Sequence, residues 1–276
     1  MVKVKRVSGI GRSRQSSKIA KAGARERNSG IFGLDPAKVE AQSKFNKRTN
    51  YGITFVAGYP LDGEVGKVLA VWDKEVSWIT AGKSRLNTLS SHCTIGAIAR
   101  SQDDPITSED LNEIDFDMLV RAFKDPVRFK FSFVARKVFL GIGREGNIVL
   151  ECDVEGDGMR RLQQTMLKAK MPLKWKQQEP GSKMKAFITL GHIDITTVDL
   201  LSQEQALALR EWLSRHSQLD PCRYNVDKIY LVYHSKRLLE ETARPDMIFD
   251  LNMPCGFTNG EELKNALLSQ NPLKPG

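Results

Sequence analysis

The spacing of apolar residues along the chain predicts alternating strands and helices over most of its length. Short apolar or alternating runs are typical of strands, and they occur at 51–59, 90–96, 128–134, 137–142, 147–154, 185–193 and 224–233. Apolar residues three and four positions apart are typical of amphipathic helices, and they occur at 64–78, 107–123, 157–170, 202–216 and 260–269. Elements in this order favour an α+β fold with mainly antiparallel strands.

Two of the predicted elements carry local signals of their own. The stretch 143–146, Gly-Arg-Glu-Gly, separates the strands at 137–142 and 147–154, and such a turn indicates a hairpin. Ser202 stands directly before the helical spacing of 202–216 and is the predicted N-cap of that helix.

Charge is distributed very unevenly and divides the chain. The net charge is +9, yet residues 1–50 hold 13 Lys and Arg against 3 Asp and Glu, while the remainder holds 29 against 30. The first 48 residues are rich in Lys, Arg, Ser, Gly and Ala, a composition that buries too little apolar surface to order a chain. We therefore predict a disordered basic arm at 1–48, a folded domain at 49–243 and a C-terminal tail at 244–276 with one short helix. The arm could also bind nucleic acid through its basic residues, or act as an organelle presequence.

The remaining composition indicates an intracellular, cytoplasmic protein. Its four cysteines show no paired spacing, which favours reduced and mostly buried thiols over disulfides or a metal site. No apolar run reaches the roughly 18 residues that span a bilayer, so no membrane association is predicted. Neither a metal nor another cofactor is expected.

Two short stretches of similar design carry the candidate chemistry. In a strand over 90–96, His92 and Thr94 point to one face while Cys93 points to the other, because side chains alternate. His92 could transfer a proton and Thr94 could donate a hydrogen bond beside it. In the second stretch, Phe187 and Thr189 stand at the same spacing. A lone His or Thr in a strand is more often structural, so the pairing of the two stretches is what favours a site.

These stretches resemble the motifs of a known family. His92-Cys93-Thr94, followed by Ile-Gly, is similar to the H-x-T/S motif of the 2H phosphoesterase superfamily, the LigT and cyclic-phosphodiesterase-like proteins. The run 187–191, Phe-Ile-Thr-Leu-Gly, followed by the helix at 202–216 and the strand after it, is similar to the second H-x-T-L-G half of that family. The resemblance covers about residues 50–240.

The resemblance implies a bilobal α+β fold, with two mainly antiparallel sheets and flanking helices around a central cleft. It implies action on phosphodiesters of RNA ends, on cyclic phosphates or on 2′,5′-linked oligonucleotides, without a metal. In such a site one His takes a proton and a second His gives one, while the hydroxyls bind phosphate oxygens. Carried over to this sequence, the catalytic residues are His92, Thr94 and Thr189.

The sequence departs from the family pattern at the second His, which is Phe187 here and cannot transfer a proton. Loss of a positioned acid or base typically costs a factor of about 10²–10⁴. Phe187 could instead stack on a base. Lys185 and Tyr233 are further candidates for contact with the substrate, or for the missing group. His192 is a weaker one, because strand parity places it on the opposite face unless a bulge intervenes.

Three hypotheses follow from the sequence. The chain is a degenerate family member that binds RNA ends or a nucleotide without turnover, a pseudoenzyme. Alternatively, it is still a phosphodiesterase that uses His92 with a substitute group. In the third hypothesis the body is a scaffold, and the protein is a non-catalytic RNA- or ribonucleoprotein-binding protein that acts through its basic arm. In each of these an RNA or nucleotide ligand is the expected partner, and the sequence names no protein partner.

Overall fold

The computed structural model describes residues 10–101, 104–141, 146–171, 183–236 and 244–269. The helices are α1 (Ile10–Phe32), α2 (Pro36–Asn46), α3 (Gly63–Ile79), α4 (Phe116–Ala122), α5 (Gly158–Lys168), α6 (Ile195–Leu200), α7 (Gln203–Arg215) and α8 (Gly260–Ser269). The strands are β1 (Thr49–Ala57), β2 (Cys93–Ser101), β3 (Phe131–Leu140), β4 (Asn147–Glu155), β5 (Lys185–His192), β6 (Arg223–Val226), β7 (Lys228–Lys236) and β8 (Arg244–Asp250).

The strands form two four-stranded antiparallel sheets. Sheet 1 combines the first two described strands with the last two, whereas sheet 2 contains the four consecutive strands between them. Sheet 1 has the order β2-β1-β7-β8 and sheet 2 the order β5-β4-β3-β6. The predicted α+β fold with two antiparallel sheets and flanking helices is therefore confirmed. Strand β7 follows β6 of sheet 2 in the chain but pairs with β1 of sheet 1. This crossing of the chain ties together two lobes, the first built around sheet 1 and the second around sheet 2.

One hydrophobic core serves both sheets. Phe55 of sheet 1 and Leu150 of sheet 2 belong to the same cluster of buried residues. The helices α3 and α7 contribute Leu69 and Trp212 to it. Because each sheet turns one face to this shared core, the opposite faces of both sheets point away from it.

Strands β2 and β5, which contain most of the stretches 90–96 and 187–191 and which we call the motif strands, share a local irregularity. Thr94 pairs with Val56 and Gly96 with Phe55, so one residue of β2, Ile95, is bulged out of the register. On β5, Thr189 and Gly191 pair with successive residues of β4, so Leu190 is bulged in the same way. A bulge bends its strand and re-aims the neighbouring side chains. The two Thr-x-Gly stretches are therefore structurally equivalent.

Several predicted elements need correction. The strands expected at 128–134 and 137–142 are a single strand, β3, and the turn expected at 143–146 lies largely outside the described residues. The strand expected at 224–233 is two strands, since the chain leaves sheet 2 after Val226 and enters sheet 1 at Lys228. Apolar residues recur on both sides of this crossing, so the sequence pattern does not reveal that one strand ends and another begins there. The helix expected over 107–123 is a 3-10 turn, Glu109–Leu111, followed by α4.

Within the predicted disordered arm, the structure has two helices, α1 and α2. Besides the packing of Ile31 and Phe32 against the core, polar contacts fix the helix α1 to the second lobe. Arg25 forms a bidentate pair with Asp199. The buried side-chain amide of Asn28 donates to the carbonyls of Val198 and Leu201, both at 2.8 Å. Hydrogen bonds of this kind leave no hydrophobic signal in the sequence.

The C-terminal segment is also more than a tail. Strand β8 pairs with β7 along sheet 1, and it had not been predicted. Helix α8 buries Leu263 and Leu267 against the core, and the backbone N–H of Gly260 donates to Asp117 of the first half at 2.6 Å. Sheet 1 is therefore incomplete without residues beyond the predicted domain boundary at 243.

Candidate functional site

The two motif strands lie side by side, as the neighbouring edges of the two sheets. Leu86, just before β2, forms an antiparallel bridge with Gly191 of β5. The backbone N–H of Asn87 donates to the carbonyl of Leu190 at 2.5 Å. Farther along, the backbone N–H of Phe187 hydrogen-bonds the thiol of Cys93. The stretches at 90–96 and 187–191 are thus brought together.

The candidate side chains of the two motif stretches point to the same side. Cys93 of β2 and Ile188 of β5 are buried in the shared core. Since side chains alternate along a strand, their neighbours turn away from it. His92, Thr94, Phe187 and Thr189 consequently lie on the outer faces that flank the β2–β5 contact; we call this surface the motif face.

His92 is held in one orientation by its own loop. Its Nδ1 lies 2.6 Å from the carbonyl oxygen of Ser90, and its ring packs edge-on against Tyr59 at 5.6 Å. A carbonyl only accepts hydrogen bonds, so Nδ1 carries the proton in the neutral ring and Nε2 is the basic nitrogen. Asn87 fixes Ser90 in turn, accepting from its backbone N–H at 3.2 Å and donating to its hydroxyl at 2.7 Å.

Phe187 lies on the surface rather than in the core. Its exposed fraction is 52%, and its neighbours on β5, Ala186 and Ile188, are buried. Its ring makes an edge-to-face contact with Phe139, centroid to centroid 6.5 Å. The ammonium of Lys137 lies 5.4 Å from the centroid of Phe139. The position of the missing second His therefore carries an exposed aromatic side chain with a cation nearby.

The two threonines stand at matching points of the two lobes. Both are half-buried. Thr94 faces Val56 across sheet 1, with Tyr230 on the next strand. Thr189 faces Val149 across sheet 2, with Phe139 on the next strand. Each hydroxyl is thus followed across its sheet by an apolar side chain and then by an aromatic one.

Lys185 is part of a small ionic cluster beside Phe187. The carboxylate of Glu151 is bonded by the ammonium of Lys185 and lies 3.2 Å from that of Lys137. Glu151 is buried, which by itself raises the pKa of the carboxyl, but the hydrogen bonds from the two lysines outweigh burial and lower its pKa. Bonding to Glu151 raises the pKa of Lys185 in turn.

This cluster predicts a pH-dependent contribution to stability. Because the pKa of Glu151 is lowered on folding, its stabilising effect is present above the unfolded carboxyl pKa of about 4.3 and is lost as the pH falls through the lower folded value. We expect Glu151→Gln to reduce the free energy of unfolding at pH 7 by about 1 kcal/mol, since both lysines are half-exposed. The difference from the parent should shrink below about pH 4.

Urea unfolding at pH 7 and pH 3.5 would measure both effects. Glu155→Gln is the matched control, because Glu155 pairs with Arg223 at a more exposed position of the same face. A Glu151→Gln deficit that is equal at both pH values would contradict the assignment.

Tyr233 does not belong to the site, which corrects the prediction. It faces buried Ile53 across sheet 1, is itself buried, and its hydroxyl accepts from the backbone N–H of Ile106 at 3.1 Å. The alternation of Ile229 and Leu231 already placed it on the core side. Tyr230, three residues earlier, lies on the motif face instead and had not been singled out.

His192 faces the same way as Phe187, because the bulge at Leu190 shifts the parity of β5. Its Nδ1 lies 2.7 Å from the side-chain oxygen of Asn147. Five residues separate His192 from Phe187, which is roughly 15 Å along a strand. The side chain is thus on the correct face but distant from the place of the missing His.

A cavity of about 440 Å³ lies elsewhere, between α3 and the loop 215–222. Ala135 and Leu150, from the core side of sheet 2, form part of its wall. It therefore opens away from the motif face and is not part of the candidate site.

The described residues were also compared with the requirements of a metal site, a reactive thiol and a membrane span. No group of three His, Cys, Asp or Glu side chains there is arranged to hold a metal ion. Burial raises the pKa of the Cys93 thiol to about 12, which outweighs the lowering by the N–H of Phe187. Among the described helices, none combines the length and the apolar character needed to cross a bilayer.

Comparison with known proteins gives structural matches only. No family model and no curated protein matches the sequence. TT0787 of Thermus thermophilus aligns with a TM-score of 0.43 and 13% identity, over 73% of this chain and 98% of its own. E. coli LigT complexed with NADP+ aligns with a TM-score of 0.43 and 13% identity, over 74% and 99%. Kluyveromyces marxianus Usb1 with uridine monophosphate aligns with a TM-score of 0.32 and 9% identity, over 74% and 99%.

The first motif of the chain, His92-Cys93-Thr94, is similar to the H-x-T/S motif of the 2H phosphoesterases, and the described strands form two four-stranded antiparallel sheets.

Proposed function

We propose that the motif face binds a phosphodiester or cyclic phosphate of an RNA end or nucleotide, and that turnover is slow or absent because Phe187 replaces one proton-transfer group. The observation that carries this proposal is the equivalence of Thr94 and Thr189. They occupy the same position before the same bulge, on adjacent strands from the two lobes. Two hydroxyls so placed can donate to two oxygens of one phosphate.

His92 supplies half of the acid–base chemistry. With Nδ1 hydrogen-bonded to Ser90, its Nε2 is the nitrogen that can accept a proton from an attacking hydroxyl or water. On the other side of the phosphate the leaving oxygen has no side chain at position 187 that can protonate it. Lys185 is on the same face but is bonded to Glu151, which stabilises its charged form.

Phe187 gives the second lobe a binding role in place of a catalytic one. An exposed aromatic ring contributes roughly 1–3 kcal/mol per base when a nucleobase stacks on it. Such stacking is tolerant of base identity. The motif face thus combines phosphate donors with a stacking surface, which suits a nucleotide better than a simple phosphate ester.

Binding should depend on both hydroxyls and on His92. We expect Thr94→Val and Thr189→Val each to weaken binding of a 2′,5′-linked dinucleotide about 10–100-fold, since each removes a hydrogen bond to a charged group worth about 1.5–3 kcal/mol. His92→Ala should weaken it as well. Titration calorimetry with this dinucleotide and with a 2′,3′-cyclic nucleotide would measure the effects. Thr196→Val, at an exposed threonine of α6, is the control; equal affinities for all variants would refute the proposal.

The second candidate function places binding in the N-terminal segment. Residues 1–24 contain seven Lys and Arg and no acidic residue. Deletion of residues 1–20 leaves Arg25 and Asn28, the polar contacts that dock α1. If this segment carries binding, the deletion should abolish it and flatten the salt dependence, while His92→Ala has no effect. Under our proposal the deletion leaves nucleotide binding unchanged, whereas His92→Ala weakens it.

A further inference from the structure

Two lysines share a single carboxylate next to the exposed ring of Phe187. Glu151 lies directly opposite Phe187 in the register of β4 with β5, and Lys137 lies opposite Glu151 on β3. Lys185 stands two residues before Phe187 on the same face of β5. With all three groups ionised, Glu151 and this lysine pair together carry one net positive charge.

The two ammonium groups of the lysine pair face the solvent, and the carboxylate of Glu151 lies below them. The side chain of Glu151 is 9% exposed, whereas those of Lys137 and Lys185 are 43% and 45% exposed. The carboxylate therefore lies beneath the two ammonium groups and fixes their positions. Holding flexible lysines in place beforehand reduces the entropy that a ligand would otherwise lose in ordering them.

The lysine pair is continuous with the aromatic surface. Lys137 contacts the ring of Phe139, which contacts Phe187. Thr189 lies two residues beyond Phe187 on β5, and Lys185 two residues before it, so the ring stands between the hydroxyl and the ammonium. The order along the strand is hydroxyl, aromatic ring, cation. A nucleotide chain presents phosphate, base and next phosphate in the same order.

We infer that Lys137 and Lys185 bind a second phosphate, on the far side of the base that stacks on Phe187. The ligand is then a single-stranded oligonucleotide or a nucleotide with a further terminal phosphate, rather than a cyclic mononucleotide alone. This inference rests on the proposed function, because it assumes that Thr94 and Thr189 hold the first phosphate.

The test compares two ligands that differ by one phosphate. A 2′,5′-linked dinucleotide, with and without an added terminal phosphate, is titrated against the parent and against Lys137→Ala and Lys185→Ala. Each single variant leaves Glu151 one lysine, so no unpaired carboxylate is buried. Lys44→Ala is the matched control, because Lys44 is also paired with a carboxylate, that of Glu40 on α2.

We expect the added phosphate to tighten binding by the parent about tenfold, the effect of roughly one charge-assisted contact. The gain should be largely lost in both lysine variants and kept in the Lys44 control. The slope of log affinity against log salt should steepen by about 0.7 for the added phosphate, and become shallower by about one when a lysine is removed.

Two other outcomes separate the claims. If the parent binds both dinucleotides equally, or if the gain survives in both lysine variants, the second phosphate site is refuted while the proposed function stands. If the parent binds neither dinucleotide, the proposed function fails, and the inference fails with it.

Discussion

Replacing Phe187 with His is expected to raise the turnover of a 2′,3′-cyclic nucleotide by a factor of about 10²–10⁴, the usual contribution of one positioned acid or base. The structural reason is the equivalence of the two strands. Phe187 stands two residues before Thr189, as His92 stands two residues before Thr94, and both threonines precede equivalent bulges. A His at 187 would therefore face the phosphate from the side opposite His92.

The substitution should be tolerated by the fold. More than half of the Phe187 side chain is exposed, so exchanging its ring for an imidazole creates no cavity in the core. Its edge contact with Phe139 is the interaction at risk. Some loss of base stacking is also expected, so KM should rise while kcat increases.

Three further proteins make the measurement decisive. Phe187→Ala removes the ring without adding a base and should stay inactive. The double variant Phe187→His with His92→Ala should return to background, because the mechanism needs both groups. The pH dependence of kcat/KM for Phe187→His should be bell-shaped, with one group acting as base and the other as acid. Turnover by the parent at a rate close to that of Phe187→His, and lost in His92→Ala, would contradict the binding role and direct attention to Lys185.

The sequence predicts an element well when the interactions that stabilise it lie within that element, and poorly when they come from distant parts of the chain. The helix at 202–216 was predicted almost to the residue, because its signal is local: Ser202 and Gln205 form a complete capping box. Helix α1 was missed, because it is held by Arg25 and Asn28 to groups about 170 residues away. Strand β8 was missed because it forms an edge of sheet 1, and its pairing with β7 leaves no pattern of its own.

In the candidate site, too, local features could be predicted from the sequence, whereas contacts between distant segments could not. Strand parity correctly placed His92, Thr94, Phe187 and Thr189 on one face of each strand. Spacing alone could not show that β2 and β5 are neighbours, since the bridge between Leu86 and Gly191 joins residues more than a hundred positions apart. The role of Glu151 also required the registers of β3, β4 and β5. Nothing in its local sequence distinguishes it from a surface acid.

The motif face exists only while the two lobes keep their relative position, and Trp212 lies at a contact between helices of the two halves. This side chain of α7 is fully buried and packs edge-on against Trp72 of α3 at 6.1 Å. Its indole N–H donates to the carboxylate of Glu75, also on α3, at 2.7 Å. Helix α3 precedes the first motif strand and α7 follows the second. Loss of the indole would thus remove both apolar and polar contact between the helices.

Trp212→Ala is therefore expected to lower the free energy of unfolding by about 3–5 kcal/mol, the usual cost of deleting a fully buried Trp. Trp78→Ala is the matched control, because Trp78 is 84% exposed on α3, and we expect a change within about 0.5 kcal/mol. Urea unfolding followed by far-UV circular dichroism measures both without relying on Trp fluorescence. A small effect for Trp212→Ala would mean that the crossing of the chain from β6 in sheet 2 to β7 in sheet 1, rather than the packing of α3 on α7, holds the two motif strands together.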